Sequence, residues 1–191
     1  MLSDDENYMI YLRSEGFYDD LLGDYFITMN TGGFDYPTAH FSQCWGAVWN
    51  DYAEYRKDNL EEVSIQKPGR CVKEKGDGSL QLTTERLERG CEVISDTFGF
   101  AIGQDKENGY NTPIASNGRV LAYPFENIEM FKTHIGWPVC SGPNGTVSIM
   151  TAEEEERYPS RIVGTISEIP DYEEWGSGKV KVNGRVWIRI R

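Results

Sequence analysis

Positive charge is scarce in this sequence. Its 191 residues include 19 Lys and Arg against 31 Asp and Glu, which gives a formal net charge of −12 at pH 7. A protein that binds nucleic-acid phosphates needs clustered Lys and Arg, and an anionic membrane surface attracts the same residues. The sequence also contains no apolar run near the roughly 18 residues that span a bilayer. We therefore expect neither nucleic acid nor a membrane as a partner.

Residues that bind metals or form disulfides are also few. The four cysteines and two histidines are Cys44, Cys71, Cys91, Cys140, His40 and His134. No Cys-x-x-Cys pair occurs, and the spacing expected of a zinc site is absent. With a hydrophobic fraction of 39%, the chain can form a core without a disulfide framework. The prediction is reduced, mostly buried thiols, with no metal and no cofactor.

Targeting and catalytic signatures are missing as well. Residues 1–6 lack the basic and apolar regions of a signal peptide, which predicts a soluble product made in the cytoplasm. The chain has no Gly-x-Ser-x-Gly elbow, no phosphate-binding loop and no His-Glu-x-x-His motif. A conventional turnover enzyme is therefore not expected.

What the sequence does contain, from about residue 63 onward, is a series of short β-rich runs separated by Gly, Asn and Pro. The predicted strands are 70–74, 80–84, 91–95, 98–102, 119–123, 146–149, 161–166, 179–182 and 186–190. Thr151 and Glu154 have the spacing of a helix capping box, and Pro159 limits that helix to about two turns. This pattern predicts a mainly β fold, a compact domain of short antiparallel strands and hairpins with one or two short helices.

Three Asn-Gly pairs, at 117–118, 144–145 and 183–184, predict hairpin turns, because both residue types tolerate a positive φ. At the last pair, a three-residue loop that includes Arg185 would place Val182 opposite Val186 and Val180 opposite Ile188. This register collects the valines and Ile188 on one face, so it is favoured over a two-residue loop.

The composition changes along the chain and suggests a division into two parts. Residues 1–44 are acidic and rich in aromatics, with Arg13 as the single basic residue. This part is predicted to be an N-terminal arm that packs on a neighbouring subunit, or an irregular N-terminal subdomain. Residues 45–191 are predicted to form the β-rich domain.

The boundary stretch, residues 45–56, combines aromatics with acids, an asparagine and an arginine. In a helix, Asp51 and Glu54 would share a face and could act as a general acid–base pair on an amide. In a strand, the two carboxylates would point to opposite faces. The side-chain amide of Asn50 or the carboxylate of Asp51 could also attack the backbone directly. The structural alternative is an edge strand in which Glu54 pairs with Arg56 or Lys57.

Residues 49–56 (Trp-Asn-Asp-Tyr-Ala-Glu-Tyr-Arg) resemble the C-terminal domain of bacteriophage tail-spike and pre-neck appendage proteins. Further blocks carry the same resemblance, at residues 68–70, 95–100, 112–115, 118–120, 142–145, 161–164 and 182–188. Together they cover about residues 45–191. The Asp-Tyr-Ala-Glu core is the most specific of these motifs.

The resemblance implies an intramolecular chaperone that assists trimeric folding of a spike and then cuts itself off, in the glutamic-type autoproteolytic class. It places the acid–base pair on Asp51 and Glu54, with Asn50 as a possible participant and the cut near residues 42–51. It further implies a homotrimer in contact with other virion subunits, made in the bacterial host cytoplasm and carried in the virion tail. The alternative is a non-catalytic structural or receptor-binding module of a phage tail or capsid.

Overall fold

The computed structural model describes residues 7–10, 27–30, 38–40, 50–58, 60, 67–176 and 180–190. The chain divides into two compact units, residues 1–47 and 48–191. In the first unit, β1 (Asn7–Ile10), β2 (Ile27–Asn30) and β3 (Thr38–His40) form an antiparallel sheet in the order β1-β2-β3. Cys44 and Trp45 lie outside the described residues.

The second unit is mainly β, which confirms the predicted fold class. Its first strands are β4 (Asp51–Lys57), β5 (Cys71–Glu74), β6 (Leu80–Leu82), β7 (Cys91–Ile94), β8 (Phe98–Ile102) and β9 (Tyr110–Ala122). They are followed by β10 (Pro138–Gly142), β11 (Thr146–Ile149), β12 (Gly164–Glu168), β13 (Glu174–Trp175), β14 (Val180–Lys181) and β15 (Val186–Ile190). The helices are α1 (Ile128–Thr133) and α2 (Ala152–Arg157), and residues 143–145 and 159–161 form 3₁₀ turns.

One large sheet organises this unit, with strands in the order β11-β10-β12-β15-β9-β7-β5-β6. The long strand β9 is its centre. β9 pairs with β4 over residues 110–118 and with β15 over residues 118–122, so both pairings include Gly118. β4 additionally pairs with β8 in parallel. The start of β4 therefore lies where two strands meet beside β9.

The two helices differ in how clearly the local sequence predicts them. α2 has the predicted capping box: Thr151 accepts from the Glu154 N–H, and the Glu154 carboxylate accepts from the Thr151 N–H. Arg86 also binds the Glu154 carboxylate, which lowers the pKa of Glu154 to about 2. α1 was not predicted, although Asn127 caps it by accepting from the Glu129 N–H. Among the described residues, neither helix has the length and apolar character to span a membrane.

Two of the three Asn-Gly predictions need correction or refinement. Asn117-Gly118 is not a hairpin turn but lies within β9. Asn183 and Gly184 do form a turn, closed by a hydrogen bond from the Arg185 N–H to the Val182 carbonyl. The predicted pairing across it is wrong, because β14 pairs with β13 and β15 pairs with β9 and β12. The Asn144-Gly145 turn joins β10 to β11 as expected.

The hydrophobic core explains that corrected register. The largest cluster includes Val93, Val120, Phe131, Val139 and Ile188 and lies under the central strands. On another part of the sheet, Trp187 is fully buried with Leu121, Val180 and Val182. Burying a side chain of this size contributes a few kcal/mol, so packing of Trp187 favours the observed pairing of β15 over a hairpin with β14.

Candidate functional site

The boundary stretch is extended, since β4 begins at Asp51. Side chains of a strand alternate between its faces. Asp51 and Ala53 are buried, with 4% and 0% of their surface exposed, whereas Tyr52 is 37% exposed. Asp51 and Glu54 therefore point to opposite faces of β4. The acid–base pair that a helix would have assembled from these two carboxylates is not brought together.

Asp51 lies in a pocket of hydroxyl groups. The Thr97 hydroxyl donates to Asp51 Oδ1 at 2.7 Å, and the Ser95 hydroxyl oxygen accepts from the Thr97 N–H at 3.0 Å. Asp51 Oδ2 is buried without a hydrogen-bond partner among the described residues. A buried carboxylate oxygen in that state is costly when the group is charged.

The titration of Asp51 reflects these surroundings. Burial raises the pKa of Asp51 to about 6, against the opposing effect of the Thr97 and Ser95 hydroxyls, and the negative charge of Asp96 raises it further. A carboxyl group with this pKa is protonated in roughly one molecule in ten at pH 7, far more often than an ordinary aspartate. Asp51 can thus donate as well as accept a proton.

Glu54 has a different environment on the other face. Arg56 Nη2 lies 3.1 Å from Glu54 Oε2 and 3.8 Å from Glu92, and Arg56 Nε lies 4.0 Å from Glu74. Glu54 is 41% exposed at its side chain. This is the ion pair expected in the structural alternative, and it leaves Glu54 without a contact to Asp51. The expected edge strand is wrong, because β4 pairs with both β8 and β9.

Arg119 contacts both the backbone and the side chain of Asn50. The Arg119 N–H donates to the Asn50 carbonyl oxygen at 2.6 Å, and Arg119 Nη2 lies 3.5 Å from Asn50 Oδ1. The Arg119 guanidinium is in turn fixed by Glu168 at 2.9 Å and lies 5.1 Å from the centre of the Trp187 ring. Asn50 Nδ2 is buried and has no hydrogen-bond partner in the described part of the chain. The side-chain nitrogen of Asn50 thus makes no hydrogen bond among the described residues, while the Arg119 N–H polarises the backbone carbonyl of the same residue.

Gly118 allows β9 to lie close to the backbone of Asn50 and Asp51. It lies opposite Asp51 in β9 with a φ of +102°. A Cβ atom at this position would lie 2.2 Å from the Asn50 carbonyl oxygen and 2.8 Å from the Asp51 Cα. Only glycine fits such a contact with backbone atoms. Gly118 therefore sets how closely β9 carries the Arg119 N–H to the Asn50–Asp51 peptide bond.

A cleft of about 500 Å³ lies beside this site and is lined in part by Ser95, Asp96 and Phe98. Its Asp58 carboxylate already accepts from Lys67 at 2.7 Å and from the Thr112 hydroxyl at 2.5 Å, and these bonds lower the pKa of Asp58 although burial opposes them. Since these polar groups are engaged with each other, the unpaired groups of Asn50 and Asp51 are the stronger candidate for chemistry. The described residues contain no group of three or more His, Cys, Asp or Glu placed to hold a metal.

Sequence reasoning identified Asn50, Asp51 and Glu54 but assigned no role to Thr97, Arg119 or Gly118. The blocks at 95–100 and 118–120 contain all three, so that resemblance was the available signal. No protein-family model, curated protein or solved structure matches this chain.

Proposed function

We propose that this chain is a domain of a bacteriophage virion protein, a tail spike or appendage, that acts as a trimerising intramolecular chaperone and cuts itself once between Asn50 and Asp51. The resemblance over residues 45–191 and the mainly β fold support the virion assignment. The cut would separate the acidic N-terminal unit from the β-rich domain. A single self-cleavage needs no turnover and no cofactor.

The observation that carries the proposal is the state of Asn50. Its Nδ2 is buried without a partner among the described residues, while the Arg119 N–H donates at 2.6 Å to the carbonyl oxygen of the same residue. A backbone N–H aimed at a carbonyl oxygen stabilises the negative charge that forms there during attack. Nucleophile and electrophile belong to one residue, so little entropy is lost in bringing them together.

The reaction follows from these groups. Asn50 Nδ2 attacks the Asn50 carbonyl carbon, and the oxygen charge is held by the Arg119 N–H. The bond between that carbon and the Asp51 nitrogen then breaks. One proton leaves Nδ2 and one is gained by the departing Asp51 amine. The N-terminal fragment ends in a cyclic succinimide, which water later opens to a carboxylate.

In this scheme Asp51 accepts the proton that leaves Asn50 Nδ2 and donates one to the departing amine. Its carboxyl is attached to the residue whose nitrogen departs, and its pKa of about 6 allows it to give and receive a proton near neutral pH. Glu54 has no direct part, because it faces the other side of β4 and pairs with Arg56. Asn50 and Asp51 thus take part directly in cleavage, whereas Glu54 has a structural role in β4 through its ion pair with Arg56.

Assembly into a trimer is supported by apolar surface around β8. Within the described residues, β8 pairs with β4 alone, and Phe100 and Ile102 are 45% and 42% exposed. Tyr52 stacks on Phe100 with ring centroids 5.6 Å apart. A sheet edge that carries exposed apolar side chains is a surface that proteins commonly cover with another chain.

A second candidate function is a non-catalytic structural or receptor-binding module. It is favoured by the separation of the two carboxylates, since Asp51 binds Thr97 and Glu54 binds Arg56. In this case the buried Asp51 is part of the junction between β4 and β9, and the N-terminal unit stays attached.

Intact-mass measurement over long incubation distinguishes the two functions. We expect the unmodified chain to convert to two fragments and Asn50→Ala to remain whole. Asn50→Gln keeps the amide but moves its nitrogen by one carbon, so it should cleave more slowly by at least tenfold, a change of about 1.4 kcal/mol in the barrier. Glu54→Gln should cleave like the unmodified chain. Loss of cleavage in Glu54→Gln with retention in Asn50→Ala would overturn the assignment to Asn50.

A further inference from the structure

Two cysteines that the proposed function does not use lie on neighbouring strands of the large sheet. β5 and β7 pair so that Cys71 is opposite Val93 and Cys91 is opposite Lys73. Residues opposite each other, and residues two apart on one strand, share a face. Cys71 and Cys91 are therefore diagonal neighbours on the same face of the sheet.

The two thiols differ in their access to solvent. Cys71 is fully buried in the main core cluster, and Cys91 packs against that cluster while remaining partly exposed. Reagents in solution can thus reach Cys91, whereas Cys71 is shielded from them by its burial. A reactive outer thiol backed by an inner one is the arrangement found in redox-active cysteine pairs.

The surroundings of Cys91 favour its thiolate. Contact with the Cys71 thiol lowers the pKa of Cys91 to about 7 although burial opposes the shift, with further help from the Ser141 hydroxyl and the charges of Lys73 and Arg161. The same contact, with burial, raises the pKa of Cys71. The Lys73 ammonium is paired with the Glu88 carboxylate, and Arg161 Nη1 donates to the Leu87 carbonyl at 2.8 Å. Cationic surroundings and partial exposure mark reactive cysteines.

We propose that Cys91 is a hydroperoxide-reactive thiol and that Cys71 converts its oxidised form into a disulfide between β5 and β7. The Cys91 thiolate attacks one oxygen of hydrogen peroxide, which gives a sulfenic acid and hydroxide. The Cys71 sulfur then attacks the Cys91 sulfur, the S–O bond breaks, and water leaves with the proton of the Cys71 thiol. Both sulfurs are oxidised by one peroxide, which is the only oxidant required.

The span between the strands predicts how this bridge behaves. Diagonal neighbours have Cα atoms about 7–8 Å apart, whereas disulfides usually span about 4.4–6.8 Å. Formation of the bridge must therefore draw β5 and β7 together at this point. A bridge under such strain is reduced readily by dithiothreitol or another dithiol.

Treatment of the folded protein with hydrogen peroxide tests the proposal. Peptide mapping without reductant should show Cys71 joined to Cys91, with one hydrogen lost from each thiol, and dithiothreitol should reverse it. Cys140→Ser is the matched control and should form the bridge at the unmodified rate. Cys71→Ala should instead accumulate a Cys91 sulfenic acid that dimedone traps. Cys91→Ser should form no bridge to Cys71.

A labelling measurement keeps the test independent of variants that fail to fold. In the unmodified protein, we expect iodoacetamide to modify Cys91 faster than Cys71 or Cys140 by about tenfold or more, because the thiolate is the reacting form. Two results would overturn the proposal. One is equal labelling of Cys91 and Cys140 in the folded protein. The other is peroxide treatment that bridges a different cysteine pair or leaves Cys71 and Cys91 as thiols.

Discussion

Thr97 donates its hydroxyl hydrogen to Asp51 Oδ1 at 2.7 Å, so a buried carboxylate is met by a neutral group. A cation in that place would favour the charged form of Asp51, whereas a hydroxyl offsets only part of the cost of burial. The pKa of Asp51 consequently stays raised, at about 6. The hydrogen bond from Thr97 thus leaves Asp51, at the start of β4, able to exchange a proton closer to neutral pH than an ordinary aspartate.

Replacement of Asp51 by Asn should remove a pH dependence of stability. The pKa of Asp51 rises from 3.8 to about 6 on folding. Between these values the folded state binds more protons, so the stability that Asp51 contributes is present below about pH 4 and is lost as pH rises through about 6. Asp51→Asn should therefore raise the free energy of unfolding above pH 7 by roughly 1–3 kcal/mol. Urea unfolding at about pH 5 and pH 8 measures this.

An exposed aspartate serves as the control for that experiment. Asp171 lies on the surface, and Asp171→Asn should leave the pH dependence of unfolding unchanged within about 0.5 kcal/mol. Parallel pH profiles for Asp51→Asn and the unmodified chain would contradict a raised pKa at Asp51.

The close approach at Gly118 predicts an unusually costly alanine. Gly136 has a similar positive φ, +87°, with nothing within 4 Å of a Cβ built on it. Gly136→Ala should thus cost about 1 kcal/mol for backbone strain alone. Gly118→Ala should cost about 1–3 kcal/mol more, since its Cβ would meet the Asn50 carbonyl oxygen. It should also slow cleavage, because it moves the Arg119 N–H away from Asn50.

Thermal unfolding of the two alanine variants separates these contributions. Equal losses at Gly118 and Gly136 would show that β4 and β9 tolerate a larger separation at Asn50 than the contact distances imply. Intact mass on the same samples reports the effect on cleavage.

The paired hydrogen bonds between Arg185 and Asp96 predict a large loss on removal of either partner. Arg185 Nη1 and Nη2 donate to the two Asp96 carboxylate oxygens at 2.8 and 3.0 Å, and Arg185 is 2% exposed. Asp96→Asn would leave a buried charge poorly paired, at a cost of about 2–4 kcal/mol. Glu129→Gln, which removes an exposed ion pair with Lys132, should cost less than about 0.5 kcal/mol. Urea unfolding of both variants at neutral pH provides the comparison, and equal costs would contradict a buried pair.

The apolar edge at β8 predicts an assembly defect. Phe100→Lys places a charge on the surface proposed to contact other copies, which should convert trimers to folded monomers in light scattering. Phe125→Lys is the matched control, since Phe125 is 55% exposed but lies after β9, away from β8. A monomeric unmodified chain, or equal effects of both variants, would argue against the β8 surface.

Much of the fold could be predicted because its signals are local. The capping box at Thr151 and Glu154 and the turn at Asn144-Gly145 each depend on a few adjacent residues. Asn183-Gly184 also forms a turn, but the strands beside it pair elsewhere, and Asn117-Gly118 forms no turn. At Gly118, the positive φ serves a close contact with β4, and no pattern near residue 118 reveals that partner.

The candidate site was predictable only in part, for the same reason. Asn50 and Asp51 stand out as neighbours in sequence, but whether Glu54 joins them depends on β4 being a strand. That conformation is set by pairing with β9, some 60 residues away. Arg119 enters the site through that pairing and Thr97 through the parallel pairing of β4 with β8, so their roles required the structure.

The most direct test of self-cleavage is the identity of the two new chain ends. After incubation of the purified unmodified chain, N-terminal sequencing of the larger fragment should begin at Asp51. The mass of the smaller fragment should correspond to residues 1–50 with one water fewer than the free acid, or to its hydrolysed form after longer times. A larger fragment that begins at any other residue, or a chain that keeps its full mass, would contradict cleavage by Asn50.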